Sequence, residues 1–172
     1  MNYLLIGAII VGAAVIIEII LSAKWNVSYF RTGIPIFVRR IDRAGGLTGI
    51  SFDTLAKSTT TASAPPLAFR QLAPDLVAFR ERGFNGYVPL MRGIIKSKAE
   101  EPSIVVAGLI NWSAIVLAIV LVAFLRRSVT IVVPYYLAGF AILYFIQGVR
   151  LFRLGSALRR SKELPNDGVS KQ

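Results

Sequence analysis

Apolar residues along this chain gather into three long runs, at 3–23, 104–125 and 129–149, while the stretches between and after them are mixed or polar. A bilayer core of about 30 Å takes roughly 20 apolar residues of helix, and each run is near that length. Glu18 is the one charged residue inside any of them. The pattern predicts a membrane protein, α-helical with three transmembrane helices, carrying a small β-rich (α+β) domain inserted between the first and second helix.

The insert, residues 24–101, has a different rhythm. From Gly33 to Ile41 the chain alternates, with Ile34, Ile36, Val38 and Arg40 on one face and Pro35, Phe37, Arg39 and Ile41 on the other, which is the period of a half-buried strand. Gly45-Gly46 and Gly49 mark turns. Residues 57–66, KSTTTASAPP, offer little to bury and read as a flexible loop. LAFR at 67–70 is echoed by VAFR at 77–80 across Ala73-Pro74-Asp75. Folded back as a hairpin, these segments bring Phe69 and Phe79 onto one sheet. Gly83-Phe84-Asn85-Gly86 opens the next reversal and Tyr87 to Lys96 supplies a third strand, with a short helix over Leu76 to Arg82 as the alternative.

Residues 150–172 form a basic tail. On a helix continuing from the third run, Leu151, Leu154 and Leu158 make one stripe, and Arg150, Arg153, Arg159 and Arg160 lie outside it. Such a helix suits an anionic membrane surface, or it docks on the β-rich domain. Leu164-Pro165-Asn166-Asp167-Gly168 ends it.

Charge sets the expected orientation. Lys24, Arg31, Arg39, Arg40, Arg43, Arg92, Lys96, Lys98, Arg150, Arg153, Arg159, Arg160 and Lys162 all fall on one side of three crossings, against Arg126-Arg127 on the other. Positive flanks stay inside, so residues 24–101 and the C-terminus are expected to be cytoplasmic at a cell (inner) membrane, with the N-terminus outside. A re-entrant hairpin of the second and third runs is the alternative. Met1-Asn2-Tyr3 lacks the basic start of a signal peptide and Leu21-Ser22-Ala23 is a poor cleavage site, so the first run is expected to be an uncleaved anchor.

Composition narrows the chemistry. Hydrophobic residues are 55% of the 172 and charged residues 17%, outside the soluble range. The formal net charge of +11 follows from orientation in a membrane, so no nucleic acid partner is expected. With neither Cys nor His, the donors for common zinc sites, His-ligated haem, Cys nucleophiles and His-based triads are missing. The glycines lack nucleotide-loop spacing. No cofactor and no enzymatic activity are expected.

Three groups of residues read as purposeful. An intramembrane carboxylate needs a partner or a cavity. The expected topology puts Glu18 near Gln147 and Arg150, so a Glu18–Arg150 pair with Gln147 as neutral donor is the expected solution. Snorkelling and a proton or ion role are the alternatives. Arg70, Arg80, Arg82 and Arg92 of the insert, with Arg153, Arg159 and Arg160 of the tail, are expected to be exposed and to touch phosphates of anionic lipids on the cytoplasmic face, with ordinary solvated positions as the alternative for the insert arginines. Tyr135 and Tyr136, after Pro134, need partners for their hydroxyls at membrane depth. The expected function is that of a non-catalytic accessory, assembly or scaffolding subunit of a larger membrane complex, with partner subunits or a homo-oligomer. The alternative is a membrane-anchored module whose β-rich domain senses a lipid phosphate or another ligand.

Overall fold

The hairpin echo at 67–80 becomes the outer half of a five-stranded antiparallel sheet, with Phe69 paired directly opposite Phe79. A computed structural model describes residues 3–42, 46–60, 66–82, 92–97, 102–124 and 129–160. In chain order the elements are α1 (Tyr3–Ala23), α2 (Val27–Arg31), β1 (Pro35–Asp42), α3 (Phe52–Thr59), β2 (Leu67–Ala73), β3 (Leu76–Glu81), β4 (Arg92–Ser97), β5 (Ser103–Leu109), α4 (Trp112–Phe124) and α5 (Val129–Arg160). The sheet order is β1-β5-β4-β3-β2, so the first strand closes onto the last and the hairpin partners occupy the far side.

Each face of the sheet carries a packed layer. Alternate side chains along β3 go opposite ways, as the pleat requires: Val77 and Phe79 face one layer, Leu76 and Ala78 the other. On the first face, Ile41, Leu67, Ile95, Ile104 and Val106 meet Leu151, Leu154 and Leu158 of α5 and Leu55 of α3. On the second, Ile94, Ala107 and Leu109 meet Tyr29 and Phe30 of α2. The leucine stripe of the tail is therefore docked on the sheet and buried, the second of its two expected placements. Arg153, Arg159 and Arg160 stay exposed.

The second apolar run is divided between two structures. Ser103–Leu109 is β5, hydrogen-bonded between β1 and β4, and the helix begins only at Trp112. The reason is that β5 is a central strand buried on both faces, and such a strand shows a continuous apolar run with no alternation, like a membrane helix. The β-rich unit thus extends past residue 101, and the expected helix over 104–125 is corrected to α4. Two helices, α1 and α5, are long and apolar enough to cross a membrane, and α4 is a shorter apolar helix.

Smaller expectations also meet the structure. Lys57 to Thr59 belong to α3, so the expected loop at 57–66 starts later, and 61–65 lie outside the described residues. The expected reversal at 83–86, the first part of the third strand, Arg126-Arg127 and residues 161–172 are also outside them. Leu76–Glu81 is a strand. Helix α5 runs without a break through Pro134.

Candidate functional site at the junction of helices and sheet

A sharp corner after α1 creates the site. The helix ends with Trp25 in the left-handed region (φ 54°), the Asn26 amide reaching back to the Leu21 carbonyl and the Trp25 amide to that of Ser22, a Schellman ending. A non-glycine residue pays strain there. Stacking of Trp25 on Phe30 (centroids 5.7 Å apart) holds it in place. Asn26 then caps α2 by accepting from the Tyr29 amide at 3.0 Å. Eleven residues after Glu18 the chain has turned back, and the Tyr29 hydroxyl meets that carboxylate.

Glu18 is 2% exposed and accepts three hydrogen bonds. Tyr29 Oη donates to Oε1 at 2.7 Å, the Trp112 amide to Oε1 at 2.8 Å, and the Ser113 amide to Oε2 at 2.9 Å. The last two donors are amides of the first turn of α4, which have no partner within their own helix. A carboxylate there also meets the positive end of the helix dipole. Glu18 thus caps α4 from a different helix.

The cation of this site comes from the sheet. Arg92 begins β4, opposite Leu109 of β5, which lies three residues before α4, and it is wholly buried. Its Nη2 lies 3.9 Å from Glu18 Oε1, while Nη1 donates to the Tyr29 carbonyl at 3.0 Å and Nη2 to the Ile110 carbonyl at 2.7 Å. Its guanidinium carbon sits 3.8 Å from the centre of the Tyr29 ring, a close cation–π contact. Only Nε lacks a hydrogen-bond partner. Burial pulls the Arg92 pKa down, against the pull of Tyr29 and Glu18, and burial pushes the Tyr29 phenol well above its ordinary value. At 3.9 Å the ion pair is long, so hydrogen bonds fix the geometry and the charges compensate each other through space.

The expected Glu18–Arg150 pair is replaced by two others. Tyr144 is the α5 residue at this level, its side chain meeting the Asn111 backbone. Arg150 lies six residues further on, about 9 Å of helix rise, and its Nη1 pairs with Glu81 Oε1 at the end of β3. Gln147 is buried and lines a groove with Ser113 and Tyr144. Arg92, expected among the exposed lipid-contacting arginines, is instead the buried counter-charge of Glu18. Arg80 is half-buried with its guanidinium carbon 4.8 Å from the Trp25 ring centre, and burial lowers its pKa. Arg70 and Arg82 are exposed, as expected.

Beside this junction a groove of about 350 Å³ opens between α1, α4 and α5, with Val11, Val15, Leu117, Phe140 and Tyr144 among its lining residues. The Tyr136 hydroxyl finds its partner in the Ala114 carbonyl at 3.0 Å, and Tyr135 is exposed. Among the described residues, no group of three or more acidic side chains could hold a metal ion. Comparison of the chain with protein-family models, with curated proteins and with solved structures gives no match.

Proposed function

We propose that this protein is a non-catalytic accessory, assembly or scaffolding subunit of a membrane complex, a rigid piece in which membrane helices and a sheet domain move together. The observation that carries this reading is the occupancy of Glu18: both carboxylate oxygens are engaged by donors from α2 and α4, with Arg92 behind them. A proton carrier or catalytic carboxylate needs an approach path for its substrate, whereas this one is buried and spent on joining elements. Three crossings are supported by direction: α1 and α5 both run into the sheet, and α4 runs out from it. Lys24, Arg31, Arg40 and Arg153 are exposed at the sheet end, which supports a cytoplasmic sheet domain and an outside N-terminus at a cell membrane. The apolar groove between the three helices offers lateral contact to a partner.

The second reading, a lipid-phosphate-sensing module, draws on the exposed Arg70, Arg82, Arg153, Arg159 and Arg160, since basic groups near an anionic leaflet gain about 1 kcal/mol each. Extraction from the native membrane in mild detergent followed by native mass spectrometry separates the two. Stoichiometric further subunits are the outcome expected of a scaffolding role. A lone chain or homo-oligomer carrying bound anionic lipid points to the sensor.

A further inference from the structure

We propose that the helix-side end of the sheet domain is itself set into the membrane, with Ile34 just before β1, Ile36 in β1, and Phe145 and Val149 of α5 packed against lipid acyl chains. The inference rests on the reading of α1 as a membrane span and adds a depth to it. Helix α1, 21 residues long, rises about 31 Å, the thickness of the hydrocarbon core. If it fills that core, Glu18, five residues from its end, lies about 7 Å inside the boundary. The α4 amides bonded to Glu18 are then at the same depth. From there α4, with 13 residues, rises about 20 Å. The two distances add to nearly the full core, so a helix too short to span by itself reaches the far side only because it starts within the leaflet.

The sheet must follow. The Ile110 amide bonds to the Ile34 carbonyl, fixing the start of β1 just below α4's first turn, and one or two strand residues of about 3.3 Å each bring Ile36 to the boundary. On α5, Tyr144 marks the Glu18 level, placing Phe145 inside and Val149 at the boundary by the same rise. These side chains are exposed: Ile34 48%, Ile36 37%, Phe145 73% and Val149 39%. Large apolar side chains exposed at the level of a span need an apolar neighbour. Beyond the boundary come the exposed charges Arg40 and Arg153, and Phe152 there carries Arg39 over its ring at 4.4 Å. Arg31 precedes Ile34 by three residues and reaches the headgroups by extending its long side chain. The occupant this arrangement fits is lipid, because the apolar band is continuous with the spans and stops where the arginines start.

The chain has no cysteine, so single-cysteine variants of the full-length protein carry one environment-sensitive fluorophore each. Ile10→Cys in α1, Ile34→Cys and Asp42→Cys are reconstituted in phosphatidylcholine vesicles with and without brominated acyl chains, and also titrated with iodide. The expected result is strong bromolipid quenching and iodide protection at 10 and 34, with the reverse at 42. Iodide quenching at 34 alongside lipid quenching at 10 overturns the immersion while leaving the span intact. Absence of lipid quenching at 10 overturns the span and the immersion with it. Protection of 34 from both quenchers assigns the surface to a protein contact and likewise overturns the proposal.

Discussion

Tyr29 donates to Glu18 over 2.7 Å and at the same time presents its ring to Arg92, so one side chain touches both charges of a buried pair. Tyr29→Phe keeps the ring and removes only the hydroxyl. A hydrogen bond to a charged acceptor contributes about 2 kcal/mol, and that loss is expected in detergent unfolding with little change in fold. The same phenol adds a pH dependence. Its pKa is raised in the folded protein, so above about pH 10 the unfolded chain ionises first and stability falls as pH rises. Comparing stability curves at pH 8 to 11 should show a shallower fall in Tyr29→Phe.

Glu18→Gln leaves the shape and removes the charge. The amide has one acceptor oxygen where two are used, its NH₂ faces a backbone N–H donor, and Arg92 is left buried without its counter-charge. Breaking one side of a buried pair costs about 3 kcal/mol or more. Hydrogen exchange should show faster exchange of the Trp112 and Ser113 amides, which Glu18 holds. Unchanged protection of both amides would contradict the capping role.

Arg92→Lys and Arg70→Ala separate a buried arginine from a solvated one. Lysine cannot serve the Tyr29 and Ile110 carbonyls from one planar group, so Arg92→Lys is expected to destabilise by about 2 kcal/mol or more. Arg70 is exposed on β2, near the sheet edge, and its replacement should stay within about 0.5 kcal/mol. Thermal unfolding of the two variants side by side checks the contrast.

Gly93→Ala should disrupt the sheet where Gly139→Ala does not. A Cβ on Gly93 would run into the Phe79 ring and the Ala107 backbone carbonyl, and the backbone has nowhere to go, while one on Gly139 meets nothing within 4 Å. The first is expected to cost about 1–3 kcal/mol. The second should be neutral or slightly stabilising, since alanine favours a helix by about 1 kcal/mol. Unfolding midpoints of the pair test this directly.

How far the sequence reveals this architecture depends on which pattern each segment carries. Alternation made β1 legible, including that Phe37 and Ile41 share a face, and the repeated LAFR and VAFR put Phe69 and Phe79 on one sheet, where the register pairs them. Strand β5 was hidden because Ile104, Val105, Val106 and Ala107 are apolar without alternation, as a central strand and a membrane helix both can be. Glu18 stood out as a carboxylate needing a partner, but its partner came from 74 residues away through sheet register, which no helix-depth argument contains. Arg92 is the first residue of the strand that pairs with the segment leading into α4, and that pairing exists only in the folded sheet. Charge counting grouped it with Arg70 and Arg82, since net charge does not distinguish a buried guanidinium from a solvated one.

Glu18 and Arg92 act together to lock α1 and α4 onto the sheet. A double-mutant cycle with Glu18→Gln, Arg92→Met and their combination, read by reversible unfolding in mild detergent, tests this most directly. The predicted result is strong coupling, with the double variant more stable than the sum of single losses implies by about 1.5 kcal/mol or more. Additivity within about 0.5 kcal/mol would show that the two residues act independently and form no joint lock on α1 and α4.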